Sequence, residues 1–125
     1  MIKTIISTVA VAILLTVGAI FEVNFIHSEF NGFAECVNTV YVKVQSETAT
    51  EDDVYSLQEK WLNSKSKLHA FIPHNEIKEF DLWIAESVKL VKEEKWEDAL
   101  SKLEVVKELT EQVPKTFEVN FANIF

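Results

Sequence analysis

The sequence predicts an all-α protein: an N-terminal transmembrane helix that continues into a small antiparallel bundle of about three to four helices. Three observations carry this. Thr4 to Phe21 run for eighteen positions without a charge. Beyond them, apolar residues recur at spacings of three and four, the period of a helix with one buried side. The 125-residue chain holds only two glycines and two prolines, so turns are scarce and helices long.

The first element is the charge-free run. At about 1.5 Å per residue it spans roughly 27 Å, close to the hydrocarbon thickness of a bilayer. Two readings compete. Val17-Gly18-Ala19 fits the small-residue cleavage site of a signal peptide, which would leave a mature chain starting at Ile20. The apolar run exceeds the ~7–15 residues of a signal core, however, and the apolar periodicity carries on past that site. The length favours an uncleaved anchor over residues 1–26, with a bundle domain over 27–125. Lys3 precedes the span, whereas the following flank holds Glu22, Glu29 and Glu35 and no Lys or Arg. The positive-inside rule then places a single-pass protein in the cell membrane, N-terminus cytoplasmic and C-terminal domain outside.

The helix does not stop at the membrane. Phe25, Ile26, Phe30, Phe33, Val37, Val40, Tyr41 and Val44 form one stripe at helical period. Gly32 interrupts it and marks a bend or a close contact, while the β-branched run from Val37 to Val44 weakens the helix. Ser46 to Asp53 reads as a polar connection, with Thr50 and Asp53 placed as a near capping box. The second helix then runs to about Ala70, burying Val54, Leu57, Trp61, Leu68 and Phe71. Pro73 breaks the pattern, and Asn75 is positioned to cap a third helix whose stripe is Ile77, Phe80, Ile84, Val88 and Val91.

After a turn over Lys92–Lys95, Trp96, Ala99, Leu100, Leu103, Val106, Leu109 and Val113 predict a fourth helix that Pro114 ends. Its string KWEDALSKLEVV looks like half of a tetratricopeptide-type hairpin, without a second copy. The apolar tail, with Phe117, Val119, Phe121, Ile124 and Phe125, is expected to pack back on the bundle or on a partner.

Charge narrows the function classes. The net charge is −8, and all twelve basic residues are lysines. Arginine supplies the bidentate phosphate and base-edge contacts of nucleic-acid binders, so its absence from an acidic chain argues against nucleic acid. The same acidity argues against lying flat on anionic headgroups. Cys36 is the single cysteine, which excludes an internal disulfide. It reads as a small buried hydrophobe, with an intermolecular disulfide as the other reading.

Several motifs across this chain together resemble a known family. A Trp-x6-Leu-x2-Phe-Ile-x-His-x-Glu-Ile string (Trp61, Leu68, Phe71, Ile72, His74, Glu76, Ile77) crosses the central turn. A Trp-Glu-x-Ala-Leu hairpin follows at Trp96, Glu97, Ala99 and Leu100, and the chain closes on Asn123, Ile124 and Phe125. The pattern resembles the bacterial domain-of-unknown-function family 4363, found in Gram-positive bacteria and often in spore formers. That resemblance implies a small membrane-anchored helical protein without an assigned activity. The family commonly has an acidic residue between His and Glu and again after Glu-Ile, where this chain has Asn75 and Lys78. An acidic metal-binding cluster at that turn is weakened accordingly.

The candidate functional or partner-contact residues are His74, Glu76, Trp61, Trp83, Trp96 and Phe125. A His and a Glu in proximity suit zinc or proton transfer, but no further ligand set has a recognisable spacing, and a helix start with Glu76 on its dipole explains the pair. His27 falls at headgroup depth beside Glu29, where histidine senses pH or is simply tolerated. The tryptophans are core residues or the wall of a groove for a partner helix or lipid tail. Small residues in the span invite a helix partner without forming a clean motif. No nucleophile–base pair, paired aspartates or glycine-rich phosphate loop is present, and no cofactor is implied. The reading is a non-catalytic interaction or structural module that acts with another membrane protein. An apolar-ligand or lipid-binding bundle is the alternative, and a metal protein centred on His74 and Glu76 the third. The oligomeric state is left open.

Overall fold

The computed structural model describes residues 1–124, with side chains described through Glu118. It contains four helices in chain order: α1 (Ile2–Gln45), α2 (Glu51–Leu68), α3 (His74–Lys92) and α4 (Trp96–Ile124). Short connections reverse the chain three times. Each helix packs against two neighbours, α1 on α2 and α4, α3 on α2 and α4, which closes the bundle into a ring.

α1 is one unbroken helix of 44 residues. Its first seventeen residues, Ile2 to Gly18, are all exposed. This part of α1 is long and apolar enough to cross a membrane by length and composition. The buried side of the same helix begins at Ile26 and runs through Phe30, Phe33, Val37, Val40 and Val44. Val37, Val40 and Val44 are buried, and their packing overrides the modest propensity penalty of the β-branched run, which carries the exposed Thr39 and Val42 along in the same helix. Gly32 produces no break, and a methyl group there would meet only the end of the Lys60 side chain, Nζ at 3.7 Å and Cε at 3.9 Å.

The core is the four facing stripes. Val54, Leu57, Trp61 and Leu68 come from α2, Ile77, Phe80, Ile84 and Val88 from α3, and Ala99, Leu103, Val106 and Val113 from α4. Burying each large apolar side chain stabilises the fold by roughly 1.5–3 kcal/mol. The capping box at α2 is present in both directions: Asp53 N–H donates to the Thr50 hydroxyl at 3.3 Å, and Thr50 N–H donates to Asp53 Oδ2 at 2.8 Å.

Three sequence expectations are corrected. α2 ends at Leu68 rather than near Ala70, and Phe71 is 36% exposed in the turn. Pro73 precedes α3 in place of Asn75, because its extended backbone already lets its carbonyl accept from Glu76 and Ile77 N–H. Pro114 does not end α4, which continues to Ile124. Thr110, Val113, Pro114 and Phe117 keep the buried stripe going, so packing offsets the lost backbone hydrogen bond.

The two distal turns share a device that the sequence hides. Glu47 and Glu94 sit at φ 57° and 56°, the left-handed region where glycine is at ease. Around each, the pattern is the same. Thr48 N–H reaches the Lys43 carbonyl and Glu47 N–H the Val44 carbonyl, while Lys95 N–H reaches Leu90 and Glu94 N–H reaches Val91. Both α1 and α3 therefore end in Schellman turns built on glutamate.

Candidate functional site

The α2–α3 turn carries the sharpest polar candidates. Phe71 and Ile72 N–H both donate to the Leu68 carbonyl, and Ile72 is buried, which pins the turn to the core. His74 opens α3 exposed, and Glu76 is half-buried two residues further on. Glu76 is the acid in the first turn of α3, where the helix dipole favours it. Among the described residues, neither side chain takes part in a hydrogen bond or ion pair, and no three His, Cys, Asp or Glu converge on a common point.

The three tryptophans divide. Trp61 is 1% exposed and unavailable to a partner. Its ring stacks on Phe80 at 4.6 Å and leans on Phe33 at 5.3 Å, and Phe80 in turn meets Phe30 at 5.8 Å. These aromatic faces are occupied by one another. The indole N–H of Trp61 donates to Asp81 Oδ1 at 2.7 Å, and Lys65 donates to Asp81 Oδ2 at 2.8 Å. Trp83 and Trp96 are partly exposed. The Trp83 N–H donates to Glu79, and the Lys102 ammonium lies 4.8 Å over its ring. Trp96 starts α4 and lines a distal groove with Glu47, Lys95, Glu97 and Asp98. Phe125 lies outside the described residues.

A family model described as a domain of unknown function, DUF4363, matches residues 20–124. The chain belongs to this family. No curated protein and no solved structure matches it. The DUF4363 region thus starts near the end of the apolar run and covers the bundle-forming part of α1 with α2, α3 and α4.

Within the DUF4363 bundle, the seam between α1 and α4 holds polar features that periodicity alone did not expose. His27 Nε2 lies 2.6 Å from Glu118 Oε1, across 91 positions of sequence. Further along the seam, the Glu104 carboxylate faces the Tyr41 hydroxyl and pushes the phenol above its ordinary range, and Lys107 lies 4.3 Å over the Tyr41 ring. Between these points runs an open groove of about 580 Å³ lined by Asn31, Glu35, Asn38, Lys107, Thr110 and Glu111. The signal in the sequence was the pair of asparagines seven apart, each directly after a buried residue of the stripe (Phe30 and Val37) and so on one flank of it.

A second seam joins α1 to α2. Ser64 is buried and donates to Glu29 Oε2 at 3.3 Å, while Lys67 lies 3.3 Å from Glu29 Oε1. Cys36 is half-buried on α1. Burial raises its thiol above the ordinary value, and the Lys60 ammonium opposes that only in part. A thiol so placed is a weak nucleophile at neutral pH.

Proposed function

We propose that this DUF4363 chain is a single-span membrane protein whose helical bundle stands outside the cytoplasmic membrane and works, without catalysis, through another membrane protein. The observation that carries the reading is the continuity of α1. An exposed apolar half of a length to cross the bilayer runs without a break into a half that builds the core. Lys3 ahead of the run and acids behind it support the orientation. The partly exposed Trp83 and Trp96 and the polar groove between α1 and α4 are the surfaces offered to a partner.

Two measurements test this. Alkaline carbonate extraction of native membranes leaves the intact chain in the pellet, and externally added protease removes the bundle from whole cells stripped of their wall. Gentle detergent extraction then yields the chain with a reproducible membrane-protein companion. Recovery of a soluble form beginning at Ile20 removes the anchor, and a strictly monomeric detergent extract removes the partner.

A further inference from the structure

Three separate parts of the chain converge on one end of the bundle, the end from which the apolar half of α1 emerges. The first is α1 itself, which leaves its charge-free run at Phe21. The second is the α2–α3 turn, Ala70-Phe71-Ile72-Pro73. The Phe71 ring meets the Phe25 ring edge-on, centroids 6.2 Å apart. Phe25 is four residues past Phe21, so this turn lies about 6 Å beyond the end of the run.

The third is α4. It runs antiparallel to α1, with Tyr41 beside Glu104 and His27 beside Glu118. Those two pairs keep one register, in which each step forward on α4 is a step back on α1. Helix α4 continues six residues past Glu118 to Ile124, which brings its end level with Phe21. From Val119 to Phe125 the sequence, VNFANIF, has no charged side chain.

The headgroup layer on each side of a bilayer is roughly 5–7 Å deep. The geometry points to this end of the bundle being seated in the interfacial layer of the very bilayer that α1 crosses, with the α2–α3 turn and the α4 terminus as two additional lipid contacts. The inference rests on the single-span reading. The seating is apolar and end-on, so it does not conflict with the acidity of the chain. Of the polar side chains near that end, His27 and Glu29 have partners, Glu118 and Lys67, which lowers the cost of approaching lipid, and Glu22, one residue past the run, falls in the headgroup layer, where a carboxylate stays hydrated. His69 and His74 flank the turn as exposed polar groups, suited to the headgroup layer.

The test uses the full chain in phosphatidylcholine nanodiscs, on a Cys36→Ser background. A fluorophore is attached through Leu14→Cys, Ala70→Cys or Glu97→Cys, and nitroxide lipids quench it from shallow or deep positions. Position 70 is quenched by shallow nitroxide several-fold more than position 97, and position 14 is quenched by the deep one. Position 70 as unquenched as position 97, with position 14 still quenched, overturns the seating and leaves the span intact. An unquenched position 14 removes the span and the seating with it. If Ala70→Cys does not fold, Pro73→Cys reports on the same turn with the same expected result.

Discussion

The indole nitrogen of Trp61 lies 2.7 Å from Asp81 Oδ1, so the largest buried side chain of the bundle hangs its one polar atom on a carboxylate of the next helix. Lys65 holds the other oxygen of that carboxylate. Asp81→Ala leaves the Trp61 N–H unpaired and is expected to destabilise the bundle by about 1–3 kcal/mol. Asp81→Asn keeps an acceptor and loses only the exposed ion pair, at a cost under about 1 kcal/mol. Urea unfolding of the detergent-solubilised chain, followed by tryptophan fluorescence, distinguishes the two; equal losses would remove the hydrogen bond as the cause.

The start of α2 is a second point of leverage. Thr50→Ala removes the capping hydroxyl and is expected to cost about 1 kcal/mol. The Lys43 ammonium, then the Thr50 N–H, hold the Asp53 carboxyl below its ordinary value of 3.8. A depressed folded-state value means that Asp53 stabilises the fold above about pH 4 and that this contribution is lost as the pH falls further. Lys43→Met takes away the largest cause, so its melting temperature declines less steeply than that of the parent chain below pH 4. Thermal melts followed by circular dichroism between pH 7 and pH 2.5 check the sign.

Glycine is absent from the two places where the backbone favours it and present where nothing requires it. Glu47→Gly and Glu94→Gly relieve a left-handed glutamate and are each expected to stabilise by about 0.5–1 kcal/mol. Gly32→Ala is expected to stabilise by a similar amount, roughly 0.5–1 kcal/mol, since the added methyl makes only an ordinary contact with Lys60. Unfolding midpoints of the three variants settle it, and a loss at position 32 would mean that the Lys60 side chain has no room to adjust.

Cys36 gives a chemical readout of the α1–α2 seam. Its raised thiol is expected to alkylate slowly at pH 7 in the folded chain, with a pH midpoint above that of the unfolded chain. Lys60→Ala removes the group that draws the thiol downward, so the midpoint moves further up. Iodoacetamide labelling rates across pH measure it; a downward move would reverse the assignment.

Most of the fold was legible in the sequence because buried stripes are periodic. The residues from Ile26 to Val44, the Thr50 cap and the third-helix stripe all stand where their spacing put them. Pro114 misled because the helix-breaking rule is local, whereas Val113, Pro114 and Phe117 are held by contacts from other helices. The Schellman turns were invisible because the usual glycine marker is missing. The polar seams were illegible for a different reason. His27 with Glu118, and Ser64 with Glu29, pair across the bundle, and periodicity carries no information about which face meets which. At the candidate turn, His74 and Glu76 stand two residues apart in the first turn of α3, a spacing that does not bring two helical side chains face to face and says nothing of a third ligand.

The absence of any joint in α1 has a mechanical meaning. A rod of 44 residues is roughly 66 Å long, and helices resist bending and twisting over that distance. On the single-span reading proposed above, a change in lipid thickness that tilts its N-terminal half swings the four-helix head with it. Cutting that transmission with a flexible insert just after Phe21 would leave head and root each intact yet deaf to one another.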